Sequence, residues 1–184
     1  MLKNIQFAII LAICTAQTAD AADDAVVQYT GVNIAGGDFG GDSLPGTYGH
    51  DYIYPAPDTI AYFAAKGMNI IRVPVLWERL QHQLGGDLDS AEMGRLDAFT
   101  SDAASKGMQV ILDVHNYASY RGAKIGTKNV PTNALGDLWR RIAERYKDNQ
   151  SVVFGLMNEQ EANNAVAAIR GAGAKNLILV PGNG

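Results

Sequence analysis

Apolar residues fall along this chain in two alternating patterns. Short, mainly apolar runs cover Thr30 to Ala35, Asn69 to Val75, Gln109 to Val114, Val152 to Met157 and Asn176 to Val180, and predict buried strands. Between them lie stretches with helical spacing. One runs from Asp58, a good N-cap, to Lys66 and is stopped by Gly67. Another starts near Ser90, a suitable N-cap residue, and ends at Lys106-Gly107. The stretch from Ala134 to Lys147 carries Leu135, Leu138, Trp139, Ile142, Ala143 and Tyr146 on one stripe, which predicts an amphipathic helix. A short helix from Ala162 to Arg170 ends at Gly171.

An internal repeat supports this reading. Ala65-Lys66-Gly67-Met68-Asn69-Ile70-Ile71 recurs as Ser105-Lys106-Gly107-Met108-Gln109-Val110-Ile111, and Ala172-Gly173-Ala174-Lys175-Asn176-Leu177-Ile178 is a looser echo. Each copy joins a helix C-terminus, a glycine able to adopt positive φ, and an apolar strand. Strands apolar on both faces belong to parallel sheets covered by helices, so the class is α/β. A barrel fits better than an open doubly wound sheet, because the phosphate-cradling devices of open sheets are missing. Gly36-Gly37-Asp38-Phe39-Gly40-Gly41 has the wrong spacing for a dinucleotide loop, and Gly122 to Lys128 lacks the Walker A order.

Several strands end in polar groups. Arg72 lies in Ile70-Ile71-Arg72-Val73-Pro74, His115-Asn116 follow Val114, and Asn158-Glu159 close the fourth run. In α/β barrels the C-terminal strand ends carry the active site. Three strands delivering polar groups to one rim predict a single site for a polar, hydroxyl-rich substrate.

Composition narrows the classes. The 184 residues are 47% hydrophobic and 18% charged, as expected of one globular unit. A net charge of −4 without a Lys/Arg cluster argues against nucleic acid and anionic membrane as partners. Residues 1–21 have the layout of a secretory signal: Lys3, an apolar stretch from Phe7 to Cys14, and a small-x-small site at Thr18-Ala19-Asp20-Ala21. The expected mature domain is 22–184, secreted to the extracellular space or periplasm, with no membrane attachment after cleavage. The sole cysteine, Cys14, lies in that leader, which excludes disulfides and cysteine chemistry from the mature part. Three scattered histidines (His50, His82, His115), without a His-Glu-x-x-His pattern, give no metal site, and no cofactor is expected.

Residue chemistry alone leaves alternatives open. Glu159 is either a rim carboxyl with a raised pKa suited to acid/base work, or a solvated glutamate at a helix start. Asn158 either bonds a substrate hydroxyl or ties its loop. Arg72, inside an apolar strand, needs a carboxylate: a catalytic one, or a structural partner in Asp113 or Glu78. His115 and Asn116 are ambiguous by themselves. Tyr48, Tyr52, Tyr54, Trp77, Tyr117 and Tyr120 fall in loops after the first three strands, where rings can stack on sugar faces.

Five segments carry a family resemblance. Gly31-Val32-Asn33-Ile34-Ala35-Gly36, Leu44-Pro45-Gly46-Thr47-Tyr48-Gly49, Ile71-Arg72-Val73-Pro74-Val75-Leu76-Trp77-Glu78-Arg79-Leu80, Asp113-Val114-His115-Asn116-Tyr117 and Val153-Phe154-Gly155-Leu156-Met157-Asn158-Glu159 together resemble a secreted glycoside hydrolase family 5 endoglucanase. The resemblance covers nearly everything after the leader. It implies a (β/α)8 TIM barrel and retaining hydrolysis of internal β-1,4-glucosidic bonds in cellulose or β-glucan. It also implies Glu159 as proton donor, with Arg72, His115, Asn158, Asn116 and Trp77 binding substrate.

The chain departs from that pattern in three places. Retaining hydrolysis uses two carboxylates roughly 5–5.5 Å apart, and the family's nucleophile lies on a seventh strand, whereas this sequence reaches about five strands of a barrel that takes about 250 residues. Gln160 stands where the family usually has proline, and the segment between the fourth and fifth strands is short. The 184 residues alone are therefore expected to be inactive. A catalytically dead polysaccharide-binding half-barrel, or a family member acting on mannan or xylan, are the alternatives.

Overall fold

The computed structural model describes residues 27–156 and 162–181. Five parallel strands form one sheet: β1 (Gly31–Asn33), β2 (Ile70–Val75), β3 (Gln109–Val114), β6 (Val152–Gly155) and β7 (Ile178–Leu179). The sheet order is β1-β2-β3-β6-β7, the order of the chain itself. A doubly wound sheet reverses direction at a switch point; this one never does. Each right-handed crossover advances the same way, so the helices fall on one face and leave the other uncovered. That is the topology of part of a (β/α)8 barrel, and the sheet does not close on itself among the described residues.

Helices α1 (Pro57–Ala65), α3 (Ser90–Ser105), α4 (Thr132–Tyr146) and α5 (Ala162–Gly171) lie between the strands, close to the expected spans. Their caps differ from expectation. Ala56 is the N-cap of α1 and Pro57 opens the helix, because proline's fixed φ suits the first turn; Asp58 sits inside it. Asp89, rather than Ser90, caps α3: its carboxylate accepts the Glu92 backbone N–H at 2.8 Å. Strands one and five are shorter than the apolar runs suggest, since only Gly31–Asn33 and Ile178–Leu179 find a ladder partner. The fourth run is a strand as far as Gly155, and Met157 lies outside the described residues.

Two features were not foreseen. A four-residue helix, α2 (Trp77–Leu80), follows β2 directly, and a small antiparallel hairpin, β4 (Ser119–Tyr120) with β5 (Ala123–Lys124), follows β3. Both are too short, four residues in α2 and two in each hairpin strand, to show a periodic pattern in the sequence.

The core sits between sheet and helices. Ile71, Val73 and Val75 pair in register with Val110, Leu112 and Val114 on the helix-facing side, all fully or almost fully buried. The whole predicted stripe of α4 is buried, with the Trp139 ring edge-on to Phe154 at 5.7 Å. Helix α5 packs closely on α4 at Gly136, where a Cβ would reach the Asn164 carbonyl and the Ala168 methyl at ordinary contact distances of 3.6 and 3.8 Å. Buried Asn176 points its amide nitrogen at the carbonyls of Tyr146, Asn149 and Val152, fastening the entry to β7 onto the α4–β6 turn. No described helix is long and apolar enough to cross a membrane.

Candidate active site

Strand alternation decides which side chains meet on the uncovered face. With Ile71 and Val73 turned to the helices, Arg72 turns the other way, as does Asp113 between Leu112 and Val114. Parallel register then aligns Asn33 with Arg72, and Asp113 with Gly155. The His115 backbone N–H donates to the Val75 carbonyl at 2.9 Å, which carries the ladder one residue past β3 and fixes where the imidazole starts.

These residues form one polar cluster. Arg72 Nη2 donates to Asp113 Oδ2 at 2.6 Å, and Arg72 Nη1 donates to Asn33 Oδ1. His115 Nδ1 lies 3.1 Å from Asp113 Oδ2 and 3.1 Å from Arg72 Nη2. Exposure grades outward: the Asp113 side chain is 11% accessible, against 32% for Arg72 and 31% for His115. Burial pushes the Asp113 carboxyl upward, while the positive charge of Arg72 and then His115 pull it back. Of the two partners open to Arg72 from sequence, Asp113 is the one found.

Glu78 has a different task. It is buried, accepts the Asn116 side-chain amide at 2.6 Å, and also accepts the Arg121 backbone N–H. Asn116 in turn accepts the Trp77 backbone N–H at 2.6 Å, capping α2 from the neighbouring loop. Asn116 thus has both ends of its amide engaged and is buried, so it braces the loops after β2 and β3 rather than facing the open side.

Trp77 needs correcting outright as a substrate platform. Its side chain is 0% exposed, packs edge-on to Tyr120 at 5.0 Å, and donates its indole N–H to Gln81 at 3.0 Å. A ring enclosed on both faces has none left for a sugar. Tyr52, Tyr54 and Tyr120 are likewise buried: the first two donate to Glu92, and Tyr120 donates to the Gln81 carbonyl at 2.9 Å. Of the six loop aromatics, only Tyr48, at 42%, and Tyr117, at 78%, are exposed. The Tyr48 ring lies under the Arg95 guanidinium, and Tyr117 meets the His115 ring at 4.7 Å.

The loop after His115 is strained. Tyr117, Ala118 and Arg121 hold φ of 50°, 54° and 47°, in the left-handed region that costs a non-glycine residue about 1 kcal/mol or more. Neighbours enforce it: Ser119 bonds the Asn116 carbonyl through both N–H and hydroxyl, Ile125 N–H bonds Ala118, and Glu78 holds Arg121. Such outliers gather where a loop must present groups in a set direction.

The long loop after β1 is held from below. Buried Arg79 donates to the carbonyls of Gly37, Phe39 and Pro45, and its guanidinium stacks 3.7 Å from the Tyr52 ring centre. Gly37 is required there, since a Cβ would stand 2.6 Å from the Pro74 carbonyl. Among the described residues no group of side chains suits a metal ion. Asn158 and Glu159 lie outside the described residues. Asn33 and Asp113 are the cluster members that sequence reasoning underweighted. Asn33 lies in one of the five motif segments, but its pairing with Arg72 depends on strand register, which the sequence does not display.

A family model described as Cellulase (glycosyl hydrolase family 5) matches residues 20–184. Endoglucanase EG-II of Hypocrea jecorina is 38% identical over 184 residues, covering 85% of this chain and 44% of the relative. Among solved structures, an endo-beta-1,4-glucanase from Xanthomonas axonopodis pv. citri superimposes with a TM-score of 0.81 at 46% identity, over 84% of this chain and 52% of that one. XacCel5A, solved in complex with cellopentaose, gives 0.82 at 49% identity over 84% and 53%. The chain spans about half the length of the relatives it matches. With the motifs, the parallel strand order and the rim cluster in agreement, the chain belongs to the cellulase family, glycosyl hydrolase family 5.

Proposed function

We propose that these residues carry the acid/base half of a retaining endo-β-1,4-glucanase site, acting on cellulose or a related β-glucan. The observation that carries the reading is the Arg72–Asp113–His115–Asn33 cluster on the uncovered face, at the strand ends of a family 5 chain. Family membership and the cellopentaose complex of XacCel5A support the substrate class. Glu159 protonates the leaving glycosidic oxygen and later activates water. Arg72, His115 and Asn158 hold hydroxyls of the sugar at the cleavage point. Asp113 is unsuited to attack the anomeric carbon, because Arg72 and His115 already occupy its outward oxygen. The nucleophile is a second carboxylate, brought opposite Glu159 by further strands of a complete barrel. Residues 1–21 act as a secretory leader, a reading that rests on Lys3, the apolar stretch from Phe7 to Cys14 and the small-x-small site at Thr18-Ala19-Asp20-Ala21.

The experiment is release of reducing sugar from carboxymethyl cellulose, with mannan and xylan run alongside. Four proteins are compared: the 184-residue chain, its Glu159→Gln variant, a chimera adding the remaining strands of the Xanthomonas relative, and that chimera with Glu159→Gln. The first two should be equally inactive. The chimera should cleave the cellulose derivative and lose at least about a hundredfold in rate with Glu159→Gln, the scale of acid/base assistance. A folded chimera that ignores Glu159→Gln, or cleaves only mannan or xylan, refutes the reading.

A further inference from the structure

Three polar side chains converge on one point of the cluster, and their donor and acceptor capacities do not permit every pairing at once. Arg72 Nη2 can only donate, Asp113 Oδ2 can only accept when ionised, and His115 Nδ1 does one or the other according to tautomer. The separations from Nδ1 are equal, 3.1 Å to the arginine nitrogen and 3.1 Å to the carboxylate oxygen. Distance therefore does not choose between them. Charge does: Arg72 Nη2 already has a carboxylate at 2.6 Å, so its bond to a neutral ring nitrogen adds little. A bond from Nδ1–H to the carboxylate is charge-assisted and the stronger of the two.

We propose that Asp113 is a positioning residue that fixes His115 as the Nδ1–H tautomer and leaves Nε2, on the far edge of the ring, as a bare acceptor for a substrate hydroxyl. The same carboxylate holds the Arg72 guanidinium, whose other nitrogen is fastened to Asn33. One buried side chain thus sets both outward groups. The fold makes room for it: opposite Asp113 stands Gly155, where a Cβ would lie 3.1 Å from Asp113 Oδ1 and 3.2 Å from its Cβ. The hydroxyl-accepting role rests on the glucan reading above; the tautomer assignment does not.

The test is long-range 1H–15N NMR of the histidine rings in the unliganded 184-residue chain at about pH 8, where an ordinary histidine is neutral. His115 is assigned by its disappearance in His115→Gln. In the wild type, the protonated-type nitrogen should be Nδ1 and the bare one Nε2. Asp113→Ala, which removes the acceptor and leaves Arg72 Nη2 free to donate to Nδ1, should move the major population to Nε2–H. Cellopentaose, titrated into both, should bind about tenfold more weakly to Asp113→Ala, the loss of roughly one hydroxyl hydrogen bond. A wild-type His115 in the Nε2–H form overturns the proposal without any variant. So does a tautomer unmoved by Asp113→Ala, or equal cellopentaose binding after the tautomer has moved. Nδ1–H in the wild type with no cellopentaose binding leaves the assignment standing and overturns the glucan reading instead.

Discussion

Replacing Gly155 by alanine probes how firmly Asp113 is held. The residue takes ordinary strand geometry, so alanine meets no backbone obstacle, and stiffening the unfolded chain would by itself stabilise by about 0.4–1 kcal/mol. Space opposes it. The new methyl would stand 3.0 Å from Ile111 Cγ2, 3.1 Å from Asp113 Oδ1 and 3.2 Å from Asp113 Cβ, each a few tenths of an ångström inside ordinary contact. Asp113 cannot swing away without breaking its bonds to Arg72 and His115. Overpacking of this kind costs about 1–3 kcal/mol, so the clash wins and the net effect is a loss of about 0.5–2 kcal/mol. In thermal unfolding followed by near-ultraviolet circular dichroism, that corresponds to a fall in Tm of roughly 1–8 °C for a domain of this size. Asp113→Ala removes the closest oxygen, so in that background the Gly155→Ala penalty should shrink by about half, a coupling that a double-mutant cycle measures. A Tm that rises on Gly155→Ala, or an unchanged penalty in the Asp113→Ala background, would refute the argument.

Two further perturbations test other parts of the frame. Glu92→Ala should cost about 3 kcal/mol in urea unfolding, because it strands the buried hydroxyls of Tyr52 and Tyr54 and releases Arg95; a loss below about 1 kcal/mol would show that this cluster is not what anchors the loop after β1. Asp97→Asn should lower stability slightly at pH 7, by less than about 1 kcal/mol in an exposed pair. Arg145 bonds the Asp97 carboxylate and holds its pKa below the usual value, so the folded state binds that proton less readily than the unfolded chain. Its stabilisation is present above about pH 3.9 and is lost as pH falls through the lower folded value. The difference between wild type and Asp97→Asn should therefore vanish in acid; a constant difference from pH 7 to pH 2 would contradict the assignment.

The α4 stripe was legible because six apolar residues at helical spacing have only one way to be buried together, and all six are. The repeat was legible because Gly67, Gly107 and Gly173 do take positive φ, at 81°, 72° and 83°, at helix ends. Arg72 and His115 stood out because a charged or titratable group beside apolar strands needs a reason. Trp77 misled for the opposite cause. Its place in a loop after a strand said nothing of α2, whose first N–H is capped by Asn116 and whose indole is roofed by Tyr120 from a hairpin with no local signature. The Asn33–Arg72 bond was hidden in a similar way, since it depends on the register of two strands distant in sequence.

The most direct test of the central claim is an NMR titration of cellopentaose into the 184-residue chain, beside Arg72→Ala, His115→Ala and a distant control, Tyr62→Ala, on the exposed face of α1. Shifts should centre on Arg72, Asp113, His115 and Tyr117, weaken about tenfold or more in the first two variants, and persist unchanged in the third. Shifts centred elsewhere, or binding that survives both Arg72→Ala and His115→Ala, would contradict the placing of the sugar site on this cluster.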